Sequence, residues 1–171
     1  MQARFDPKTG EMQRMEQWND FQYQEGEKRA RAERATILSA ANQLELRGKA
    51  RVWDPSGSTD ADEIDLNQKN GDFVATGNVR STREPEKKPK TGAVAQNAET
   101  TAQATADKML VSDGNTKIRY EGNAVMWQGE SRLRAQKIEI ERKSGQLRAF
   151  VGVVHQMVDD KPAAKKAAPP P

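Results

Sequence analysis

Few side chains in this 171-residue chain could do chemistry, and each has a plainer role beside it. His155 is the single histidine, so any imidazole acid–base step would rest on it alone. It falls in a strand-like run near the C-terminus, where a solvated or structural histidine is the simpler reading. Cysteine is absent, which removes thiol nucleophiles, Cys-ligated zinc and a disulfide framework. No HExxH, phosphate-cradling glycine loop, nucleophile elbow or His/Asp/Glu metal spacing occurs. The acidic group Asp60, Asp62, Glu63 and Asp65 suggests calcium, but it alternates across two strand faces and lacks a loop glycine at the spacing a calcium loop needs. Lys28-Arg29-Ala30-Arg31 with Arg34 could hold a phosphate, although Glu25, Glu27 and Glu33 dilute its field, as on a solvated edge. A glycosidase would need a facing carboxylate pair that the sequence does not locate. The expectation is a protein without catalytic residues, metal or cofactor.

The elements behind these residues come from a repeat. Ala61 to Val79, ADEIDLNQKNGDFVATGNV, places Ile64 and Leu66 on one parity, then a polar turn, then Phe73, Ala75 and Val79 around Gly77. This is strand, turn, strand at a period of two. From Ala106, Met109, Val111, Ile118, Tyr120, Gly122 and Ala124 fall at the same offsets. From Ala135 the copy supplies Ile138, Ile140, Leu147, Ala149 and Val153, with its glycine one residue late at Gly152, which predicts a bulge or register change. The weakest copy, from Ala32, has Ala35 and Ile37, then Leu44, Leu46, Gly48, Ala50 and Val52. Trp53 and Trp127, opposite in parity to the aliphatic stripe, are expected to anchor strand ends.

The first and third intervals between repeat starts are 29 residues and the middle one is 45. The surplus is in 84–105, EPEKKPKTGAVAQNAETTAQAT, a polar segment expected to be a disordered loop inserted into the repeat. The domain expected is 32–158, preceded by a truncated first repeat or edge strand over 1–31 and followed by a disordered Lys/Ala/Pro tail over 159–171. Within 1–31, a turn at Asp6-Pro7-Lys8-Thr9-Gly10 and a run with Trp18, Phe21 and Tyr23 predict an edge strand, while Glu25 to Arg34 suits a helix or a strand equally. The chain starts without the apolar core of a secretory signal, as if inside a repeat. No stretch approaches the ~20 apolar residues of a membrane helix. With 35% apolar and 31% charged residues, a sheet with one buried face is favoured over a thick helical core. A net charge of +3 from mixed charges implies no nucleic acid.

The pattern A-[DE]-x-[IM]-x-[LV], a turn, and an alternating strand into G-[NK]-[AV], present as ADEIDL...ATGNV, ADKMLV...YEGNAV and ELRGKARV, resembles the OstA-like domain of the lipopolysaccharide-transport bridge. The resemblance covers about Ala32 to Met157. It implies an all-β fold, an antiparallel twisted β-jellyroll open along one side, and a periplasmic location. It also implies lipopolysaccharide as ligand, its lipid A acyl chains inside and head groups outside. The implied protein partners are other OstA-like domains, or a second copy, stacking through edge strands, with membranes reached only through them. On this reading the lipid-lining residues are Ile64, Leu66, Phe73, Val79, Met109, Val111, Ile118, Tyr120, Met126, Ile138, Ile140, Leu147 and Val153. The rival is a structural or adhesive β-repeat scaffold whose stripe packs wholly against itself.

Overall fold

The computed structural model describes residues 1–85 and 100–156. Eleven strands form one antiparallel meander: β1 (Gln2–Phe5), β2 (Met12–Glu25), β3 (Lys28–Leu38), β4 (Gln43–Asp54), β5 (Gly57–Asn67), β6 (Phe73–Arg83), β7 (Ala102–Ser112), β8 (Lys117–Gln128), β9 (Ser131–Glu141), β10 (Gln146–Phe150) and β11 (Val154–Gln156). Each strand pairs with its neighbours in sequence, β11 joins β9 beside β10, and the sheet does not close. A single 3-10 turn, Ser39–Ala41, is the only helical element among the described residues. The ambiguous 25–34 segment is strand from Lys28 onward, reversed by a turn at Gly26, whose φ is +58°.

One repeated device folds this sheet over. The ladder between β4 and β5 skips from Arg47↔Glu63 to Ala50↔Ala61, leaving Gly48 and Lys49 opposite Asp62. The same skip places Gly77 and Asn78 opposite Asp107, and Gly122 and Asn123 opposite Gln136. At all three, two consecutive residues have positive φ, near +77° for the glycine and +48° for the residue after it. Glycine adopts that conformation without steric cost, and asparagine tolerates it better than most residues. The preceding strand's acid closes each bulge: Asn78 Nδ2 donates to Asp62 (2.8 Å), Asn123 Nδ2 donates to Asp107 (3.1 Å), and Lys49 pairs with Glu33 (2.7 Å). The alanine and acid at the first three repeat starts, Ala32-Glu33, Ala61-Asp62 and Ala106-Asp107, are thus bend partners of the Gly-Lys or Gly-Asn step. Asn19-Asp20 in β2 makes the first bend of the row without glycine. Val151-Gly152 makes the last, where Gln136 N–H donates to Val151 O (3.0 Å). β10 and β11 are therefore one strand interrupted by the bulge that the late glycine predicted.

Because the bulges line up across the sheet, every strand from β2 onward has two limbs, and the limbs face each other. Contacts between them are direct: Thr59 Oγ1 meets Met109 Sδ at 3.8 Å, and Ser81 Oγ and the Tyr120 hydroxyl share a 2.7 Å hydrogen bond. The bend alanines Ala32, Ala61, Ala106 and Ala135 are all buried, being small enough to let the limbs meet at the crease. Leu44, Leu46, Ile64, Met109 and Ile138 are fully buried between the limbs, each contributing about 1.5–3 kcal/mol by leaving water. Trp53 and Trp127 are half-buried, each beneath an arginine: Arg51 at 5.7 Å and Arg132 at 5.5 Å.

Burial holds the Tyr120 phenol above its ordinary value of 10.0, against the smaller opposing pull of Ser81 and Arg83. Since the folded pKa is the higher one, the stability held by the neutral phenol is complete below about pH 10 and is lost as pH rises through the folded value. Tyr120→Phe should cost about 1–2 kcal/mol by leaving Ser81 unpartnered, and should remove the alkaline step from a pH series of thermal melts. A step that persists in the Phe variant would refute the assignment.

Two boundaries differ from expectation. Residues 1–31 are not one edge strand: they hold β1, β2 and the start of β3, all in the common sheet, with Phe21 buried and stacked on Tyr23. The turn at 6–10 is present, with Gly10 N–H donating to Asp6 O. The expected loop over 84–105 stops earlier, because Ala102–Thr105 pair with 80–83 as the start of β7. Their alanines and threonines look like linker locally, yet every second one, such as Ala104, fills the inward face. Residues 86–99 of that segment and the tail 159–171 lie outside the described residues.

Candidate functional site: a groove between the two limbs

Far from the crease, the limbs end in hairpin turns and leave a cavity of about 300 Å³ between them. Leu66 and Phe73 of one limb face it, and Tyr23, Ala30 and Val52 of the other limb complete the apolar walls. The rim is polar: Glu25, Lys28, Asp54 and Ser56 on one side, Asn67, Gln68, Asn70 and Asn115 on the other. Tyr23 donates its hydroxyl to Glu25 (3.0 Å), and Ser56 donates both its N–H and its hydroxyl to Asp54 (2.7 and 2.6 Å). Arg83 reaches across the groove, Nη2 donating to Asn115 Oδ1 at 3.4 Å. Such a site can shelter apolar chains with their polar ends at the rim.

The thirteen expected lining residues divide according to depth. Ile64, Val79, Met109, Val111, Ile118, Tyr120 and Ile138 are buried in the packed core and do not line the cavity. Met126, Ile140 and Leu147 are half-buried against it, and only Leu66 and Phe73 line the cavity. Val153 departs from expectation: it holds the offset that Val79 and Ala124 hold, but is 49% exposed, with no further strand beside β10 and β11 among the described residues. Val52, Tyr23 and Arg83 are among the groove residues outside the candidate set. Val52 had already continued the stripe of its repeat, and Tyr23 sat in the weakly alternating run. Arg83 continues the inward parity of Val79 and Ser81, a signal that its charge concealed.

The other candidates are structural. Asp60 and Glu63 pair with Arg51 (3.6 Å) and Arg47 (3.7 Å), Asp65 pairs with Arg47 (2.6 Å), and Asp62 closes a bend, so the acidic group is spent across strands. No three His, Asp or Glu side chains among the described residues are placed to hold a metal ion. His155 is exposed on β11 opposite Leu133. Of the basic run, Lys28 and Arg29 stand at the groove, while Arg34 stacks on Trp18 at 5.9 Å and pairs with Glu16 (3.9 Å).

A family model described as LptA/(LptD N-terminal domain) LPS transport protein matches residues 1–72, 86–146 and 103–163. No curated protein sequence matches the chain. Among solved structures, the chain is similar to LptH from Pseudomonas aeruginosa, titled the LptA homologous periplasmic component of the conserved lipopolysaccharide transport device. The TM-score is 0.65 at 14% identity, over 77% of this chain and 95% of that one.

Proposed function

We infer that this chain, which belongs to the LptA/(LptD N-terminal domain) lipopolysaccharide-transport family, is a module of the periplasmic bridge that shelters lipid chains in its groove. The observation that carries the reading is the apolar cavity between the limbs, open to the rim and walled by Leu66, Phe73 and Val52. A self-packed scaffold has no use for such a space, and filling it with side chains would stabilise the fold. Transport by this means needs no reacting residue. Binding follows from removing acyl chains from water. A photo-crosslinking side chain at Leu66 should capture lipopolysaccharide, while one at Ile138, deep in the packed core, should not. Capture at neither position, or equally at both, would overturn the groove as the lipid site.

The bridge would be built edge to edge. Among the described residues β1 pairs only with β2, and β10 and β11 pair only with β9, so each end of the described sheet has a row of unpaired backbone groups. Exposed apolar side chains mark both ends: Phe5 (57%) at one, Val151 (72%) and Val154 (61%) at the other. Addition of a strand from a second copy or another family member would extend the sheet. Sedimentation should show association that grows with concentration and weakens when Phe150 and Val154 are both replaced by Lys. A monomer at every concentration would rule out self-stacking.

A further inference from the structure

We propose that Arg83, with Lys28 and Arg29, forms a phosphate-headgroup site at the groove mouth, binding the anionic end of an amphiphile whose chains lie against Leu66 and Phe73. The starting point is a cation without a counter-charge. Arg83 Nε is buried and has no hydrogen-bond partner. Its nearest partners, the Asn115 side-chain oxygen and the Tyr120 hydroxyl, are neutral. No carboxylate among the described residues forms an ion pair with it. Desolvation, with like charge from Arg142, pulls its pKa below the ordinary guanidinium value, against the smaller opposing pulls of Tyr120 and Asp54. Burying an unpaired guanidinium is costly, and an anion that accepts from its fork removes the penalty while binding tightly.

The charges at the rim favour a phosphate. Glu25 and Asp54 also line the cavity, so three cations there meet two carboxylates and the balance is positive, and neither Lys28 nor Arg29 forms an ion pair among the described residues. Lys28 Nζ lies 3.8 Å from where a Cβ on Gly71 would stand, so it spans the mouth from one limb to the other. Cations at the mouth and apolar walls behind it suit one ligand with both parts, and a phosphate with its double charge uses three cations better than a carboxylate does.

The proposal rests on the groove being a lipid site, so the experiment tests the two separately. The full chain is titrated with phosphatidic acid and with diacylglycerol of the same chains, both in neutral detergent micelles. The unmodified protein should prefer phosphatidic acid by about tenfold or more, as expected of charge-assisted hydrogen bonds. Arg83→Gln should lose that preference and still bind diacylglycerol. Lys28→Ala and Arg29→Ala, at exposed positions that leave the fold intact, should each reduce it several-fold, which keeps the test valid if Arg83→Gln does not fold. A preference retained in Arg83→Gln, or absent from the unmodified protein, would overturn the phosphate site and leave the groove reading standing. Leu66→Asp should lose both ligands, and if it binds both unchanged the groove reading itself fails. Inorganic phosphate alone should not displace phosphatidic acid, and full displacement would assign the site to a free anion instead.

Discussion

Ile138→Asp is expected to unfold the protein, and Leu66→Asp to leave it folded but unable to hold lipid. Both residues lie on the inward stripe, one repeat position apart from equivalence, yet their surroundings differ. Ile138 is fully buried between the limbs, so a carboxylate there has neither water nor a partner. The penalty of several kcal/mol is comparable to a domain's total stability of about 5–15 kcal/mol. Leu66 is half-buried and faces the cavity, where a carboxylate can turn toward the rim and keep most of its hydration. Its cost should be about 1–2 kcal/mol, mostly lost apolar burial. The expected result is loss of the melting transition for Ile138→Asp, and for Leu66→Asp a modestly lowered melting temperature with lipopolysaccharide crosslinking at Phe73 abolished. If Leu66→Asp also collapses, the cavity is part of a closed core and the scaffold reading returns.

Gly77→Ala should damage the fold well beyond what adding one methyl group to an open turn would do. Two costs add there. Gly77 has φ of +79°, where an L side chain is strained by roughly 1–2 kcal/mol. A Cβ would also run into the Asp62 carboxylate, displacing it from its hydrogen bond with Asn78 and losing about 1 kcal/mol more. The total is about 2–3 kcal/mol, readable as a shift in the urea midpoint. Gly10, with φ of +73° and nothing within 4 Å of an added Cβ, should show only the conformational part. Combining Gly77→Ala with Asp62→Gly should recover the steric part but not the strain, so the double variant falls between. Equal losses at Gly10 and Gly77 would show that the acid is no part of the bend.

Much of the architecture is legible in the sequence because it is encoded locally. Alternation such as Ile118, Tyr120 and Ala124 needs only the period of a strand, and the turns at Asp113-Gly114-Asn115 and Lys143-Ser144-Gly145 need only their own backbone preferences. The recurring alanine-acid and glycine-asparagine steps belong to one bend, a meaning that only the strand register gives them, although their spacing is plain in the sequence. The late glycine at 152 announced its bulge. The polar look of 102–105 misled for the same local reason: small residues carry little hydrophobic signal, but opposite β6 they pair and fill a narrow crease.

The sequence by itself determined that this protein is an antiparallel repeat sheet, which side of each strand turns inward, and that the last repeat carries a bulge at its late glycine. Only the tertiary structure decided what each inward residue does. Parity assigns Ile138, Leu66 and Val153 to one stripe, but burial depends on what stands opposite. For Ile138 that is packed side chains, for Leu66 a gap between limb ends, and for Val153 no further strand among the described residues. Arg83 shows the same dependence in reverse, an arginine that looks like surface until the other limb is folded over it. The period of a strand is set by its own backbone, whereas the space beside a side chain is set by residues dozens of positions away, brought there by a row of bends.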